Sequence, residues 1–490
     1  MTTETYSPEA AADAVAAADP ANAKRNTLVI NVLLVSTFVV MLNETAMSVA
    51  IPQLMTALDV PASAAQWLTT AFLLTMAVVI PITGFLMQRL NSRPVFLLAM
   101  SLFSLGTLLA AMSPNLSLLI VSRVVQASGT AIMMPLLMTT VMTLVPPDQR
   151  GKMMGNISIV MSVAPAIGPA AAGLILHYLE WRWIFIIVLP IALGALYLGY
   201  RMMLNVTTPR YAPLDIVSVI LSAFAFGGVV YGLSNFAIAD APVSGPLALG
   251  VGLVVMVVFI WRQLVLQRTD AALLDLRTLK EKNFTISMTM ISILMLVMFG
   301  TIILLPIYLV QVLHFDTLGT GLLLLPGSLL MGLLGPFVGR LYDKIGPTPL
   351  VVPAMIVVCC VLWAMTLLGV GTWWPYILAG HLIMSLGFAF LFGPLFTASL
   401  SSVPPQLYAH GSALLGSLQQ VAGAAGVALF VAIMTAQSAS LAVAGAPELD
   451  ALAGGIRLAF MVGASISILA VIAAFFVRKP PAQEGGWSGH

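Results

Sequence analysis

The sequence predicts an all-α polytopic membrane protein with 14 transmembrane helices, arranged as two six-helix bundles plus two inserted helices, with both termini cytoplasmic. Three observations carry this reading. The 490 residues are 60% hydrophobic and 8% charged, against about 25% charged in soluble domains. Apolar runs follow one another, each near the roughly 20 residues that a 30 Å hydrocarbon layer requires. Lys and Arg fall almost entirely in alternate links, which sets the orientation.

The runs lie near 28–51, 64–88, 94–113, 116–144, 151–177, 182–204, 213–236, 246–267, 284–312, 318–341, 348–370, 374–401, 409–436 and 456–477. An even number returns the chain to the side on which it started. With the N-terminus inside, all of the 20 Lys and Arg except Arg123, Arg182 and Arg457 fall at cytoplasmic ends or links. Arg182 and Arg457 lie near outer span ends, where long side chains snorkel; Arg123 lies within span 4.

Residues 1–26 are polar and Ala-rich, without a hydrophobic region of the signal-peptide kind, and read as a disordered cytoplasmic arm. The expected organisation is this arm, an N-terminal six-helix bundle over 27–205, two linker helices over 206–282, a C-terminal bundle over 283–478 and a tail over 479–490. Cys359 and Cys360 are adjacent in an apolar run, which fits packing and neither a disulfide framework nor a zinc site.

The link after span 2, "GFLMQRLNSR", repeats after span 10 as "GRLYDKIGPT". Gly84 aligns with Gly339, Leu86 with Leu341 and Arg89 with Lys344. Both spans are the second of a six-helix unit once spans 7 and 8 are set aside, so the halves are parallel repeats of a transporter kind. Arg89 and Arg93 in one half, and Arg340, Asp343 and Lys344 in the other, read as latches to neighbouring helix ends. Setting topology alone would explain the charges but not the repeated spacing.

Only Glu44 and Arg123 are formally charged well inside spans. Glu44 lies about 12 Å and Arg123 about 11 Å below the outer surface at 1.5 Å per residue. Intramembrane charges are expensive and face partners or water-filled cavities. Glu44 is therefore the expected proton-coupling acid, with Arg123 tuning it and Asn43 beside it; a structural ion pair is the alternative. His381, about seven residues into span 12, is either a relay or a neutral histidine bonded to a neighbouring helix. Gln126, Gln311 and Gln419 are amides that seek a polar partner or a cavity. Together with Met133, Phe299, Tyr308, Phe388 and Phe392 they are the expected lining of an adaptable cavity, although singly such residues also pack or face lipid. Pro165, Gly168 and Pro169 are expected to kink span 5 and pack it tightly where the halves meet.

These motifs resemble a known family. The Gly-x-Leu-x-acid-basic link is similar to that of the major facilitator superfamily, with Gln88 and Asn91 departing from it in the first half. "SRVVQASGTAIMMP" resembles its Arg-x-x-Gln-x-x-Gly segment, and "APAIGPAAAG" the Gly-Pro segment of its drug exporters. "LNETAMSVAIP" and "WRWIF" are similar to first-helix and sixth-helix motifs of the fourteen-helix drug:proton antiporters. Asn43 followed by Glu44 is most like the branch containing lincomycin-type exporters. The resemblance implies the major facilitator fold and antibiotic efflux by alternating access at the plasma membrane. It further implies no cofactor beyond the proton gradient, and as partners an amphiphilic small molecule, protons and membrane lipid, with no nucleic acid, in a monomer. Transport of lipid or another native amphiphile is the second reading. An intramembrane enzyme is the third, and the absence of HExxH, Gly-x-Ser-Gly, Gly-x-Gly-Asp and P-loop sequences speaks against it.

The orientation is checked by labelling. In a chain with Cys359 and Cys360 replaced by serine, Arg478→Cys is expected to resist an impermeant maleimide in intact cells and to react in inverted vesicles. The reverse pattern would place the termini outside.

Overall fold

A computed structural model describes residues 20–205, 215–236 and 243–479. Fourteen helices in it are long and apolar enough to cross a membrane, and no strand occurs among the described residues. In chain order the first six are α1 (Pro20–Leu58), α2 (Trp67–Arg89), α3 (Ser92–Ala111), α4 (Leu116–Leu144), α5 (Arg150–Tyr178) and α6 (Arg182–Met202). The inserted pair is α7 (Ile216–Ser234) and α8 (Gly245–Leu266). The last six are α9 (Lys282–Ile307), α10 (Thr317–Ile345), α11 (Thr348–Met365), α12 (Trp374–Ser401), α13 (Tyr408–Val443) and α14 (Glu448–Ala474).

Most boundaries follow the hydropathy, and the departures have local causes. Helix α1 starts at Pro20, whose fixed φ suits a first helical position, so it extends back into the stretch read as a disordered arm. The rest of that arm, the link around Arg210 and residues 480–490 lie outside the described residues. Helix α14 begins at Glu448, earlier than the apolar run at 456, because Glu448 and Asp450 lower the hydropathy while suiting the positive end of a helix dipole. Arg457 is consequently well inside this helix rather than at its end, and it is exposed. Helix α9 closes in one π-helical turn, Tyr308–Val312. At 39 and 36 residues, α1 and α13 are the longest helices, about 58 and 54 Å at 1.5 Å per residue.

The halves meet along two seams. Helix α5 packs on α10, and α2 on α13. Lipid supplies no hydrophobic drive between helices, so close contact rests on small residues. A Cβ placed on Gly155 would lie 2.2 Å from the Gly335 carbonyl, and one on Gly339 would lie 2.1 Å from that of Gly151. The contacts cluster near the face at which α1 begins and α14 ends, called here the terminal face.

The inserted helices pair with each other, and α7 also packs against α2 and α13, so the pair borders the second seam. Asp215 caps α7 through the Ser218 amide at 3.1 Å and accepts two hydrogen bonds from Arg262 of α8, at 2.6 and 2.8 Å. The Arg262 hydrogen bonds bring the Asp215 carboxyl down from 3.8 to about 2. A carboxylate with a depressed folded pKa stabilises above its unfolded value and loses that contribution only as pH falls through the folded one. Asp215→Asn is therefore expected to lower the melting temperature by the same decrement at pH 5 and pH 8. A decrement that differs between these values would show that the pair titrates there.

Candidate functional site

Asn43, Arg123, Gln126 and Thr107 form one buried polar network across α1, α4 and α3. Arg123 Nη1 donates to Gln126 Oε1 at 2.5 Å and to Asn43 Oδ1 at 3.4 Å. Gln126 Nε2 donates to Thr107 Oγ1 at 2.8 Å, and Thr107 donates to the Phe103 carbonyl at 2.7 Å. All four side chains are essentially inaccessible. The Arg123 guanidinium also stacks over Phe72 of α2, 4.1 Å from the ring centroid, a favourable seat for a desolvated cation. Two glycines permit this convergence. A Cβ on Gly106 would lie 2.5 Å from the Gln126 amide nitrogen, and one on Gly129 would lie 2.3 Å from the Ala99 carbonyl.

Glu44 behaves differently from Asn43. Successive helix residues diverge by about 100°, so Asn43 contacts Arg123 while Glu44, half-buried, makes no hydrogen bond or ion pair among the described residues. Two donors of the network, Asn43 Nδ2 and Arg123 Nε, are buried without an acceptor among the described residues.

The Gly-Pro segment of α5 lies over this same turn of α1. A Cβ on Gly168 would sit 2.2 Å from Thr45 Oγ1 and 2.8 Å from the Leu42 carbonyl. Gly168 thus packs within the first half, not where the halves meet as the sequence led us to expect; Pro165 and Pro169, half-buried, flank it. Gly151 and Gly155 of the same helix fill the inter-half role.

Several expected cavity residues are packing residues in this conformation. Gln126 belongs to the Arg123 network, Met133 is fully buried, and Phe388 and Phe392 pack on each other with centroids 5.7 Å apart. The Tyr308 ring is buried and its hydroxyl donates to the Gly369 carbonyl at 2.6 Å. Their apolar or amide character fits a core as well as a cavity wall, which is why sequence alone could not separate the two. Phe299 is partly exposed and lies against Gly423. Gln311 is exposed in the π turn, and Gln419 is half-buried and bonds its own helix at Leu415. His381 Nε2 pairs with the Leu324 carbonyl of α10 at 3.0 Å, a bond to a neighbouring helix.

The expected latches resolve into distinct contacts. Asp343 reaches across the halves: its Oδ1 accepts from the Gly151 amide and its Oδ2 from the Lys152 amide, each at 2.8 Å. This is a carboxylate seated on the positive end of α5. Gly339, one turn earlier, lets the backbones approach. Gly84 occupies the same place in α2, against Ala413 and His410 of α13. Arg93 donates to the Tyr200 carbonyl at the end of α6 at 2.8 Å, a contact within the first half, and Arg89 stacks on Phe85 of its own helix. Arg340 and Lys344 are exposed. Further inter-half contacts join Thr139 to Ser412 at 2.8 Å and Arg150 to the Tyr408 ring at 5.6 Å. Sequence reasoning missed Gly151, Gly155, Gly335, Thr139 and Ser412. The small-x-x-x-small spacing of Gly151/Gly155 and Gly335/Gly339 was the available signal.

Comparison with known proteins places this geometry in a family. The model of the Major Facilitator Superfamily matches residues 33–427. Lincomycin resistance protein LmrB of Listeria monocytogenes is 38% identical over 459 residues, covering 91% of this chain and 95% of that protein. Multidrug export protein EmrB of Haemophilus influenzae is 28% identical over 400 residues, covering 81% and 78%. Among solved structures, the human organic anion transporter MFSD10 superposes with a TM-score of 0.64 at 16% identity, covering 92% of this chain and 99% of that one. The proton:xylose symporter XylE gives 0.64 at 14%, covering 94% and 97%.

The Asp343 contact has a direct test. Asp343→Asn keeps one acceptor but loses the charge, a cost of about 1–2 kcal/mol, and is expected to lower turnover several-fold at unchanged surface expression. Unchanged turnover would reduce Asp343 to a topological charge.

Proposed function

The chain belongs to the major facilitator superfamily, a family of transporters rather than enzymes, and from that premise we propose that it exports hydrophobic or cationic small molecules in exchange for protons. The export is by alternating access across the plasma membrane, with both termini in the cytoplasm. The relatives named for lincomycin and multidrug resistance support the substrate class. The excess of Lys and Arg on the terminal face supports the orientation. In that orientation the halves are closed toward the cytoplasm.

The observation that carries the proton coupling is the contrast between Glu44 and Arg123. The guanidinium is sealed in the bundle and held by neutral partners, so its charge is fixed. The carboxyl, within the same membrane depth, belongs to a half-buried residue and makes no hydrogen bond or ion pair among the described residues. Glu44 can therefore gain or lose its proton at a carboxylate oxygen without breaking a salt bridge. Arg123 favours the ionised form, and desolvation favours the neutral one. A cationic substrate arriving from the cytoplasmic side adds to the first effect and a proton entering from outside removes it, so the two compete for one carboxylate. The acceptor-less donors on Asn43 and Arg123 offer that carboxylate a place to settle when it is ionised.

The test is transport into proteoliposomes under an imposed pH gradient, with lincomycin, a lipophilic cation and a fluorescent phospholipid as probes. The parent is expected to accumulate the first two against their gradients and to leave the phospholipid unmoved. Glu44→Gln is expected to lose accumulation while retaining exchange of substrate for substrate, which needs no proton. A folded Glu44→Gln that still accumulates lincomycin under the gradient would remove Glu44 from the coupling, and uptake of the phospholipid in competition with lincomycin would assign the cavity to a lipid.

A further inference from the structure

The two seams of the terminal face are related by the internal repeat but are closed by different means. Val145-Pro146-Pro147 before α5 matches Val403-Pro404-Pro405 before α13, and this register sets Gly151 against Ala409 and Lys152 against His410. On the α5 side, Asp343 holds the first-turn amides of Gly151 and Lys152. The corresponding position facing α13 is Gln88, which makes no hydrogen bond among the described residues, and Leu407 at the α13 N-cap has no side-chain oxygen to offer.

Another part of the chain reaches α13 instead. His410, buried in its first turn, accepts at Nδ1 from the Asp275 backbone amide at 3.4 Å. Gly84 makes room for the ring, since a Cβ there would lie 3.3 Å from Nδ1. Asp275 belongs to the link between α8 and α9, and the link is shaped to present this amide. The Asp275 carboxylate accepts from the Arg277 amide at 2.9 Å and from its guanidinium at 2.8 and 3.0 Å, and Arg277 also pairs with Asp270. The preceding residues are tied to the inserted helices: Gln263 Oε1 of α8, fully buried, accepts from the Leu273 and Leu274 amides at 2.8 and 3.3 Å. The amide of Gln263 donates to Ser218 of α7 at 2.8 Å, and Ser218 donates to Asp215, the partner of Arg262.

We propose that the two inserted helices are the scaffold of the second terminal-face latch: through Gln263 they hold the Leu273–Arg277 turn, whose Asp275 amide donates to His410, and so keep that ring of α13 seated against Gly84 of α2. His410 and Gln263 are then positioning residues for closure, and they act whether or not protons drive transport.

The test reads closure directly. In a chain with Cys359 and Cys360 replaced by serine, Gln149→Cys and Gln406→Cys carry spin labels, one on each half of the terminal face, and pulsed electron resonance gives the ratio of short to long distances. His410→Ala and Gln263→Ala are each expected to lower that ratio about tenfold, as loss of a buried hydrogen bond implies. His410→Asn keeps an acceptor in place of Nδ1 and is expected to stay within about twofold of the parent. Adding Gln88→Asp, which restores the acid of the other seam, is expected to recover closure in both alanine variants. If His410→Ala opens the face but Gln263→Ala does not, the inserted helices are not the scaffold; if Gln88→Asp fails to recover closure, the two seams are not equivalent. Either result overturns the proposal. Gln88→Asp alone covers the case of an unfolded alanine variant. With the latch already made, it should change the ratio less than about twofold, and a tenfold rise would show that the parent has no latch there.

Discussion

The arrangement depends on how closely two backbones can approach where α5 crosses α10. Inside a bilayer, helices do not gain by hiding apolar side chains from water, because the lipid is as apolar as they are. Contact between the halves must come from van der Waals fit and from polar groups that have nowhere else to go. At Gly151, Gly155, Gly335 and Gly339 the main chains touch with no side chain between them, and only at that separation can the Asp343 carboxylate reach the amides that begin α5. The steric and electrostatic parts of the contact need each other: glycine without the acid would leave an uncapped helix end, and the acid without glycine would fall short.

Closure at this face has a counterpart in the first half, where the chain sequesters a positive charge. Arg123 is surrounded by two carboxamides, a hydroxyl relayed through Gln126, and an aromatic face, with no carboxylate in direct contact among the described residues. A neutral cage stabilises a cation less than an ion pair does, yet it leaves the nearest acid uncommitted. With asparagine at position 43 and the acid at 44, the cage closes on a neutral side chain while the acid lies one residue on, half-buried.

Much of this was readable in the sequence, for reasons of scale. Transmembrane helices are long, so hydropathy located each of them, and it failed mainly at α14, whose first two turns contain Glu448 and Asp450. Depth was also readable, since rise per residue is fixed, and it brought Glu44 and Arg123 to one level. Rotation about the helix axis was not: which of Asn43 and Glu44 meets Arg123 is a difference of one residue, decided by how α1 packs. The roles of Met133, Phe388 and Phe392 were equally hidden, because apolar residues look alike whether they line a void or fill one. The contact from Asp275 to His410, 135 residues apart in sequence, left no local sign at all.

The length of α1 has a mechanical meaning of its own. At 39 residues it is about twice the thickness of the hydrocarbon layer, and it has Asn43 and Glu44 near its middle and its two ends in different aqueous compartments. Thr45 and the Leu42 carbonyl lie against Gly168 of α5, so a close approach of α1 and α5, with no Cβ between them, falls at the turn that carries Asn43 and Glu44. The residue proposed to exchange a proton thus lies on the turn by which this long helix is held to its neighbour.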